Sequence, residues 1–225
     1  MKISHHLDEA TVVSFAAGVL APALTVAASA HMNMCSTCRE RLRVAEAAGG
    51  AMLEDMDQKP LSQHCMNNVL ELIGADGRPD QEKAEASKRS HSPVAGSNVL
   101  PKPVASIIGA PLQDIHWKRA GRGISTHLID LGDNTGSKLF LMKIQAGKAV
   151  PEHSHGGTEL TLVLSGAYTD KRGRFARGDV ADLDEDVEHQ PVVGDDEDCI
   201  CLVAIEQPTR FKGLVPRLLQ PLVGI

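Results

Sequence analysis

Two clusters of metal-ligating residue types stand out in the sequence, one in each half of the chain. The first combines one histidine with two cysteines within eight residues: His31, Cys35 and Cys38. The second combines three histidines with one carboxylate: His153, His155, Glu159 and His189. Imidazole with thiolate suits a tetrahedral Zn²⁺ site, whereas imidazole with carboxylate suits several divalent metals. The sequence therefore predicts two metal centres of different chemistry.

The N-terminal cluster needs a fourth ligand to complete a tetrahedral site. Two thiolates and two neutral imidazoles would leave a Zn²⁺ site formally uncharged, so the upstream His6 or His5 fits this role. In one straight helix, His31 and Cys38 would lie about 10 Å apart along the axis. We therefore expect the helix to break near Asn33, so that the histidine of one helix meets the start of the next.

Cys35 and Cys38 also have interpretations without a metal. A Cys-x-x-Cys pair is a redox motif in a thioredoxin-like βαβ context, and buried cysteines can simply pack as small apolar side chains. The sequence around this pair lacks the βαβ pattern, which favours metal ligation. His64 and Cys65 form a reserve pair of ligands.

The spacing of apolar residues predicts two regions that position these clusters. Up to about residue 73 the chain is rich in Ala, Leu, Met and Glu, and it predicts four helices, at about 8–17, 22–32, 36–56 and 62–73. From about residue 103, short apolar runs alternate with Gly, Asp and Pro turns, which is typical of a β barrel or sandwich. The strongest strand patterns lie at 124–131, 139–144, 160–164, 180–183 and 199–205.

We accordingly predict two domains in a chain of 225 residues. Residues 1–80 form an all-α domain of about four short helices around a zinc site, and residues 103–225 form an all-β domain. Residues 81–102 between them carry almost no large apolar side chains and cannot bury enough surface to fold, so they form a linker.

Charge and cysteine content exclude several classes of protein. A net charge of -6, from 29 acidic and 23 basic residues, provides no footprint for direct nucleic-acid binding. An odd number of cysteines, five, predicts reduced thiols and a cytoplasmic protein rather than a disulfide framework. The apolar stretch 12–30 ends like a signal peptide, but Asp8 and Glu9 precede it, and Gly18 and Pro22 interrupt it, so we predict neither a leader nor a membrane span.

The second cluster matches the first cupin motif, G-x5-H-x-H-x3-E-x6-G, at every defined position: Gly147, His153, His155, Glu159 and Gly166. The strand period of two puts both histidines on one face, and the following turn brings the glutamate back to them. The second cupin motif is weaker, because an acidic stretch at 182–188 replaces its usual turn. His189 nevertheless lies where the final histidine of that motif is expected.

The cupin ligand set does not identify one metal. Three imidazoles and one carboxylate leave room for solvent or substrate on Zn²⁺, Fe²⁺, Mn²⁺ or Ni²⁺. A barrel that keeps these residues around a structural ion, or around none, is the alternative. Cys199 and Cys201 alternate on one strand, so both sulfurs face the same side, either as small core residues or as oxidisable thiols near the pocket.

Taken together, these motifs resemble the ChrR-type zinc-binding anti-sigma factors. The resemblance rests on His-x-x-x-Cys-x-x-Cys in a helical domain, an upstream histidine, the stretches His-His-Leu at 5–7 and Ala-Ala-Gly-Gly at 47–50, and the cupin motif. It implies that the helical domain binds an extracytoplasmic-function sigma factor in a 1:1 complex and keeps it from RNA polymerase. It also implies that the cupin domain senses an oxidative signal, singlet oxygen or an organic hydroperoxide, which ends the inhibition.

A different class remains open beside this regulatory one: a metal-dependent cupin enzyme, such as a dioxygenase or isomerase, with the helical half as an oligomerisation arm. The pocket sequence shows no evident general acid or base beyond the ligands, so we expect no catalytic residues. For the regulatory function, apolar side chains of the first helices would form a groove for a partner helix, or else pack within the chain: Val12, Val13, Phe15, Val19 and Leu20.

Overall fold

The computed structural model describes residues 2–62, 64–75, 100–133, 135–208 and 210–211. Most of the predicted linker, residues 81–99, lies outside the described residues. Within the described ranges, no helix is both long and apolar enough to cross a membrane.

Four helices form the N-terminal part, close to the predicted bounds: α1 (Glu9–Ala16), α2 (Pro22–Met34), α3 (Ser36–Glu54) and α4 (Cys65–Ala75). Pro22 lies in the first turn of α2, where its fixed φ suits the helix and no N–H donor is needed. One extended residue, Cys35, separates α2 from α3. The prediction of an all-α N-terminal part is confirmed.

The β part begins after a further helix that the sequence analysis did not predict, α5 (Lys102–Ile108). Its strands are β1 (Lys118–Gly121), β2 (Ile124–Ile129), β3 (Lys138–Ile144), β4 (His153–Ser154), β5 (Glu159–Ser165), β6 (Ala167–Asp170), β7 (Gly173–Ala176), β8 (Val180–Leu183), β9 (Val192–Val193), β10 (Cys199–Ile205) and β11 (Arg210–Phe211). The five predicted strands correspond to β2, β3, β5, β8 and β10. The remaining strands have two to four residues, too few for a clear alternation.

The strands of the described residues form antiparallel sheets of cupin type. A six-stranded sheet has the order β1-β2-β3-β10-β5-β8, a three-stranded sheet has the order β7-β6-β9, and β11 pairs with β4. Gly166 joins β5 to β6 with a φ of 70°, a left-handed conformation that favours glycine. A Cβ at this position would also collide with the backbone of Asp198.

The six-stranded sheet is apolar on both faces. Successive side chains of a strand point to opposite sides of the sheet, and in β5 and β10 nearly every residue is buried. On β10, Leu202 and Ala204 belong to a core on the outer face, whereas Cys201 and Val203 belong to a core inside the barrel. The outer face therefore needs a cover of its own.

Helix α2 provides that cover and contacts β3, β5, β10 and α5. The residues that it buries completely are mostly small, which lets the helix backbone approach the sheet closely: Ala23, Leu24, Ala27, Ala28 and Ala30. They share one apolar core with outer-face residues of the sheet, including Leu141, Leu162 and Leu202. Helices α1 and α2 and the barrel thus share a continuous core.

Packing divides the chain differently from the predicted domain boundaries. One compact unit comprises Met1–Gly50 together with Ser97–Ile225, and a second comprises Ala51–Gly96. The sequence patterns do not predict that the first 50 residues pack in one unit with the β part. The division into a helical domain at 1–80, a linker at 81–102 and a cupin domain at 103–225 stays a prediction.

The shared core yields a stability prediction. Leu24→Ala removes a fully buried side chain and should lower the free energy of unfolding by about 2–5 kcal/mol. Trp117, the single tryptophan, packs against this core, so its fluorescence during urea unfolding reports the change. Val19→Ala, at an exposed position in the connection between α1 and α2, is the control and should change stability by less than about 0.5 kcal/mol. Equal, small effects of both substitutions would contradict a shared core.

Candidate metal centres

The structure brings four donor residues of the N-terminal region together: His6, His31, Cys35 and Cys38. One ligand atom from each lies within 4.8 Å of all the others. The His31 Nε2 atom is 3.2 Å from the Cys38 Sγ atom, and the Cys35 Sγ atom is 3.3 Å from the His6 Nδ1 atom. This is the predicted cluster with one imidazole added from upstream.

The two consecutive helices α2 and α3 explain how His31 and Cys38 come together. His31 lies in the last turn of α2 and Cys38 in the first turn of α3. The expected break near Asn33 is present at Cys35, two residues later, and Asn33 is the last residue but one of α2. A break of one residue is enough to bring His31 to Cys38, and that residue, Cys35, is itself a member of the cluster.

His6, and not His5, joins the group. The His5 ring stacks on Phe175 with ring centroids 4.0 Å apart, and its Nδ1 atom lies 3.6 Å from a carboxylate oxygen of Asp179. The structure thus separates the two histidines that the sequence left as alternatives. The reserve pair His64 and Cys65 lies outside both clusters found in the described part of the chain.

Electrostatics at the N-terminal cluster fit a metal of zinc type. Burial lowers the pKa of His31 to about 4, so its imidazole is neutral at pH 7. Its Nδ1 atom donates a hydrogen bond to the Gly178 carbonyl at 3.0 Å, which leaves the Nε2 lone pair facing the sulfurs. Burial, reinforced by the neighbouring Cys35, raises the pKa of Cys38 to about 11. The Cys38 thiolate therefore needs a nearby cation to form at neutral pH, and a divalent metal bound with neutral imidazole meets that need.

The second cluster lies inside the barrel, and its four predicted residues are all buried: His153, His155, Glu159 and His189. Their ligand atoms also lie within 4.8 Å of one another. The Nε2 atoms of His153 and His189 are 3.0 Å apart, and the His155 Nε2 atom is 3.3 Å from a Glu159 carboxylate oxygen. This His155 nitrogen is buried without a hydrogen-bond partner, as expected for an atom that binds a metal.

Short strands position these side chains. His153 begins β4 and Glu159 begins β5. His189 pairs with His153 across an antiparallel bridge, in which each backbone N–H donates to the other carbonyl at 3.1 Å. The pairing explains why a histidine in the weaker second motif still reaches the cluster.

Each barrel histidine directs its Nδ1 atom away from the cluster, towards an acceptor. His153 donates to the Pro151 carbonyl at 2.8 Å, and His155 donates to the Asp184 carbonyl at 3.2 Å. His189 donates instead to the carboxylate of Asp170 at 3.2 Å. All three Nε2 atoms are thereby left to face the cluster, an outer-shell arrangement that metal sites commonly use.

Asp170 is the functional residue of this centre that sequence reasoning missed. Its side chain is fully buried, and it lies on β6 outside both cupin motifs. The sequence gives one indication of its position: Asp170 lies two residues after Tyr168 on a short strand, so the two side chains lie on the same face. With Glu159 it provides two negative charges, which balance a divalent cation.

Cys199 and Cys201 lie on the barrel side of β10, with their sulfur atoms 3.7 Å apart. Both side chains are buried. The hydrogen bond from Cys199 and complete burial raise the pKa of Cys201 well above its usual value, so it is a neutral thiol. In this structure the two cysteines are thiols packed in the core inside the barrel.

Comparisons with known proteins identify the relatives of the whole chain. A family profile described as the ChrR Cupin-like domain matches residues 107–208. The Anti-sigma-E factor ChrR of Cereibacter sphaeroides is 35% identical over 225 residues, which is the full length of both proteins. The crystal structure of Rhodobacter sphaeroides SigE in complex with the anti-sigma ChrR contains a chain that aligns at 31% identity and a TM-score of 0.73. This alignment covers 91% of the present chain and 99% of the other.

The outer shell yields a binding prediction. Asp170→Asn should weaken metal binding at the barrel cluster by about 10- to 100-fold, because His189 loses its charged hydrogen-bond partner. Mn²⁺ prefers carboxylate and imidazole over thiolate, so the loss of the free Mn²⁺ signal in electron paramagnetic resonance reports on this cluster alone. Asp184→Asn is the matched control, since Asp184 contributes a backbone carbonyl that the substitution leaves in place. Equal Mn²⁺ affinities of the two variants would exclude a contribution of the Asp170 carboxylate to metal binding.

Proposed function

The chain belongs to the family of ChrR anti-sigma factors, and on that premise we propose that it binds an extracytoplasmic-function sigma factor in a 1:1 complex and inhibits it. Full-length similarity supports this proposal, because it includes the helical part as well as the barrel. RNA polymerase acts in the cytoplasm, so the proposed complex is cytoplasmic, and it needs no direct contact with nucleic acid.

Exposed apolar side chains on α4 are the structural observation that carries the proposal. Five of them are between 47% and 69% exposed: Met66, Val69, Leu70, Leu72 and Ile73. A helix with this much apolar surface is normally covered by a partner. The second half of α3 adds Met52 and Leu53, which are also exposed.

This surface differs from the groove expected on the first helices. Val12 is buried, and Phe15 is partly buried and packs against the shared core. Val13 and Val19 are exposed, so part of the expected groove is available. The larger apolar surface lies on α4, and we propose it as the main contact for the sigma factor.

The N-terminal cluster is proposed to hold Zn²⁺ through four residues: His6, His31, Cys35 and Cys38. A bound Zn²⁺ would supply the positive charge that two buried thiolates require. The four residues come from the N-terminal segment, α2 and α3, so together they tie these three pieces of chain to one point. The proposed role of this centre is to keep the helices in the arrangement that binds the partner.

The barrel cluster is proposed to hold a second divalent metal, Zn²⁺ in the first instance, with Fe²⁺, Mn²⁺ or Ni²⁺ as the other metals that its donors suit. Its proposed role is to sense an oxidative signal, singlet oxygen or an organic hydroperoxide, and thereby to end the inhibition. We propose a regulatory role for this site and not an enzymatic one. A cupin dioxygenase or isomerase with a helical oligomerisation arm is the alternative that the experiments below distinguish.

The division of roles predicts opposite effects of substitutions at the two clusters. Cys35→Ser and Cys38→Ser should abolish co-purification with the sigma factor encoded beside the gene, because the helices lose their metal. His153→Ala should still co-purify 1:1 and inhibit transcription in vitro, but should not respond to the oxidant. His116→Ala, at an exposed histidine outside both clusters, is the control. A chain that binds no sigma factor, or that turns over a substrate, would favour the enzyme.

The α4 surface yields a separate prediction. Leu72→Asp should weaken the sigma complex at least about 10-fold without lowering stability, because the side chain is exposed before binding. Leu128→Asp places the same charge at an exposed leucine of β2 and should leave affinity unchanged. Equal affinities of the two variants, measured by calorimetry, would exclude α4 from the interface.

A further inference from the structure

The turn between β7 and β8 contains a buried carboxylate that holds the N-terminal segment. Asp179 is 2% exposed, and its Oδ1 atom accepts the backbone N–H groups of Ser4 at 2.7 Å and His5 at 3.0 Å. Its Oδ2 atom accepts the N–H of Ala176 at 2.9 Å. Burial opposes ionisation, but these three donors and His5 outweigh it and lower the pKa of Asp179. The carboxylate is therefore charged at neutral pH and tightly bound to backbone.

These contacts end at the residue directly before the donor His6. The His5 carbonyl accepts the N–H of Val180, and the His5 ring stacks on Phe175. Residues 2–8 form neither helix nor strand, so no regular structure of their own holds His6 in place. Contacts with the rest of the chain supply that order on both sides of His6. Asp179 holds the residues before it, whereas Leu7 after it is buried in the shared core and its carbonyl accepts a hydrogen bond from Arg41 of α3.

The same turn also holds a second donor of the N-terminal cluster. Gly178 precedes Asp179, and its carbonyl accepts the Nδ1–H of His31. One turn of the barrel therefore binds the imidazole of His31 directly and holds the residue that precedes His6, although the two histidines come from separate pieces of chain. The two cysteines lie at the break between α2 and α3, where the helices themselves position them.

We propose that Asp179 is a positioning residue of the N-terminal metal centre, and that its carboxylate orders Ser4 and His5 so that His6 completes the four-donor set. This inference rests on the proposed zinc site, and it means that the barrel helps to build that site. An ordinary structural residue at the same place would stabilise the protein without affecting the metal selectively.

The test uses the full-length chain and the substitution Asp179→Asn. The amide keeps the size of the carboxylate but removes its charge and presents an NH₂ group to backbone donors. Zinc affinity at the N-terminal centre, measured by competition with a chromophoric chelator, should fall by about 10- to 100-fold. With Co²⁺ as the probe, thiolate charge-transfer absorption reports this centre alone, since the barrel donors include no sulfur. The cobalt spectrum should change as His6 leaves the metal.

Two further variants separate positioning from general stabilisation. Asp198→Asn is the matched control, because Asp198 also accepts a backbone N–H, that of Ala146, and pairs with Lys143. Its zinc affinity and cobalt spectrum should equal those of the wild type. In a His6→Ala background, adding Asp179→Asn should change zinc affinity by less than about twofold, because the residue acts through His6.

Several results would overturn the proposal. The same loss of affinity with and without His6, or a lower thermal midpoint with unchanged affinity and cobalt spectrum, would make Asp179 a structural residue only. If Asp179→Asn does not fold, His5→Ala removes the stack on Phe175 and should weaken zinc binding in the same direction; an unchanged affinity would contradict the inference. A wild-type chain without zinc at this centre would instead refute the proposed site itself.

Discussion

The close packing of α2 on the outer face of the central sheet is the constraint on which the rest of the structure depends. Four alanines on one side of this helix allow its backbone to approach the sheet, and Leu24 fills the remaining space. The C-terminal end of the helix thereby comes close enough to the barrel for His31 to bond with the Gly178 carbonyl. A bulkier helix face would move His31 away from the turn.

The two centres differ in what surrounds their donors. The N-terminal donors include two sulfurs, and the metal itself must balance the thiolate charge. The barrel donors are three imidazoles and Glu159, and Asp170 provides a second carboxylate one shell further out. One short segment touches both outer shells: Gly178 binds His31 at its start, and the Asp184 carbonyl binds His155 at its end. Strand β8 lies between these two contacts.

Local patterns predicted those parts of the molecule that depend on neighbours in sequence. The four helices, five of the strands and the donors with motif spacing follow from periods of 3.6 and 2.0 and from the chemistry of histidine and cysteine. The choice of His6 over His5 needed the fold, since both imidazoles suit the metal and only the contacts with Phe175 and Asp179 separate them. Asp170 and Asp179 act on residues far away in sequence, so neither lies within a metal-ligand motif. The alanine-rich face of α2 predicted a helix, but alanines occur on both buried and exposed helix faces, so the pattern did not predict packing against the sheet.

Anomalous diffraction at the zinc absorption edge, from crystals of the full-length chain, can locate a zinc centre built jointly from the N-terminal segment, α2 and α3 and supported by the barrel turn at Gly178 and Asp179. We expect an anomalous peak at a zinc ion bonded to four atoms: His6 Nδ1, His31 Nε2 and the sulfurs of Cys35 and Cys38. The His31 Nδ1 atom should keep its hydrogen bond to the Gly178 carbonyl. A peak without His6, or a disulfide between the two cysteines in place of a peak, would contradict this centre.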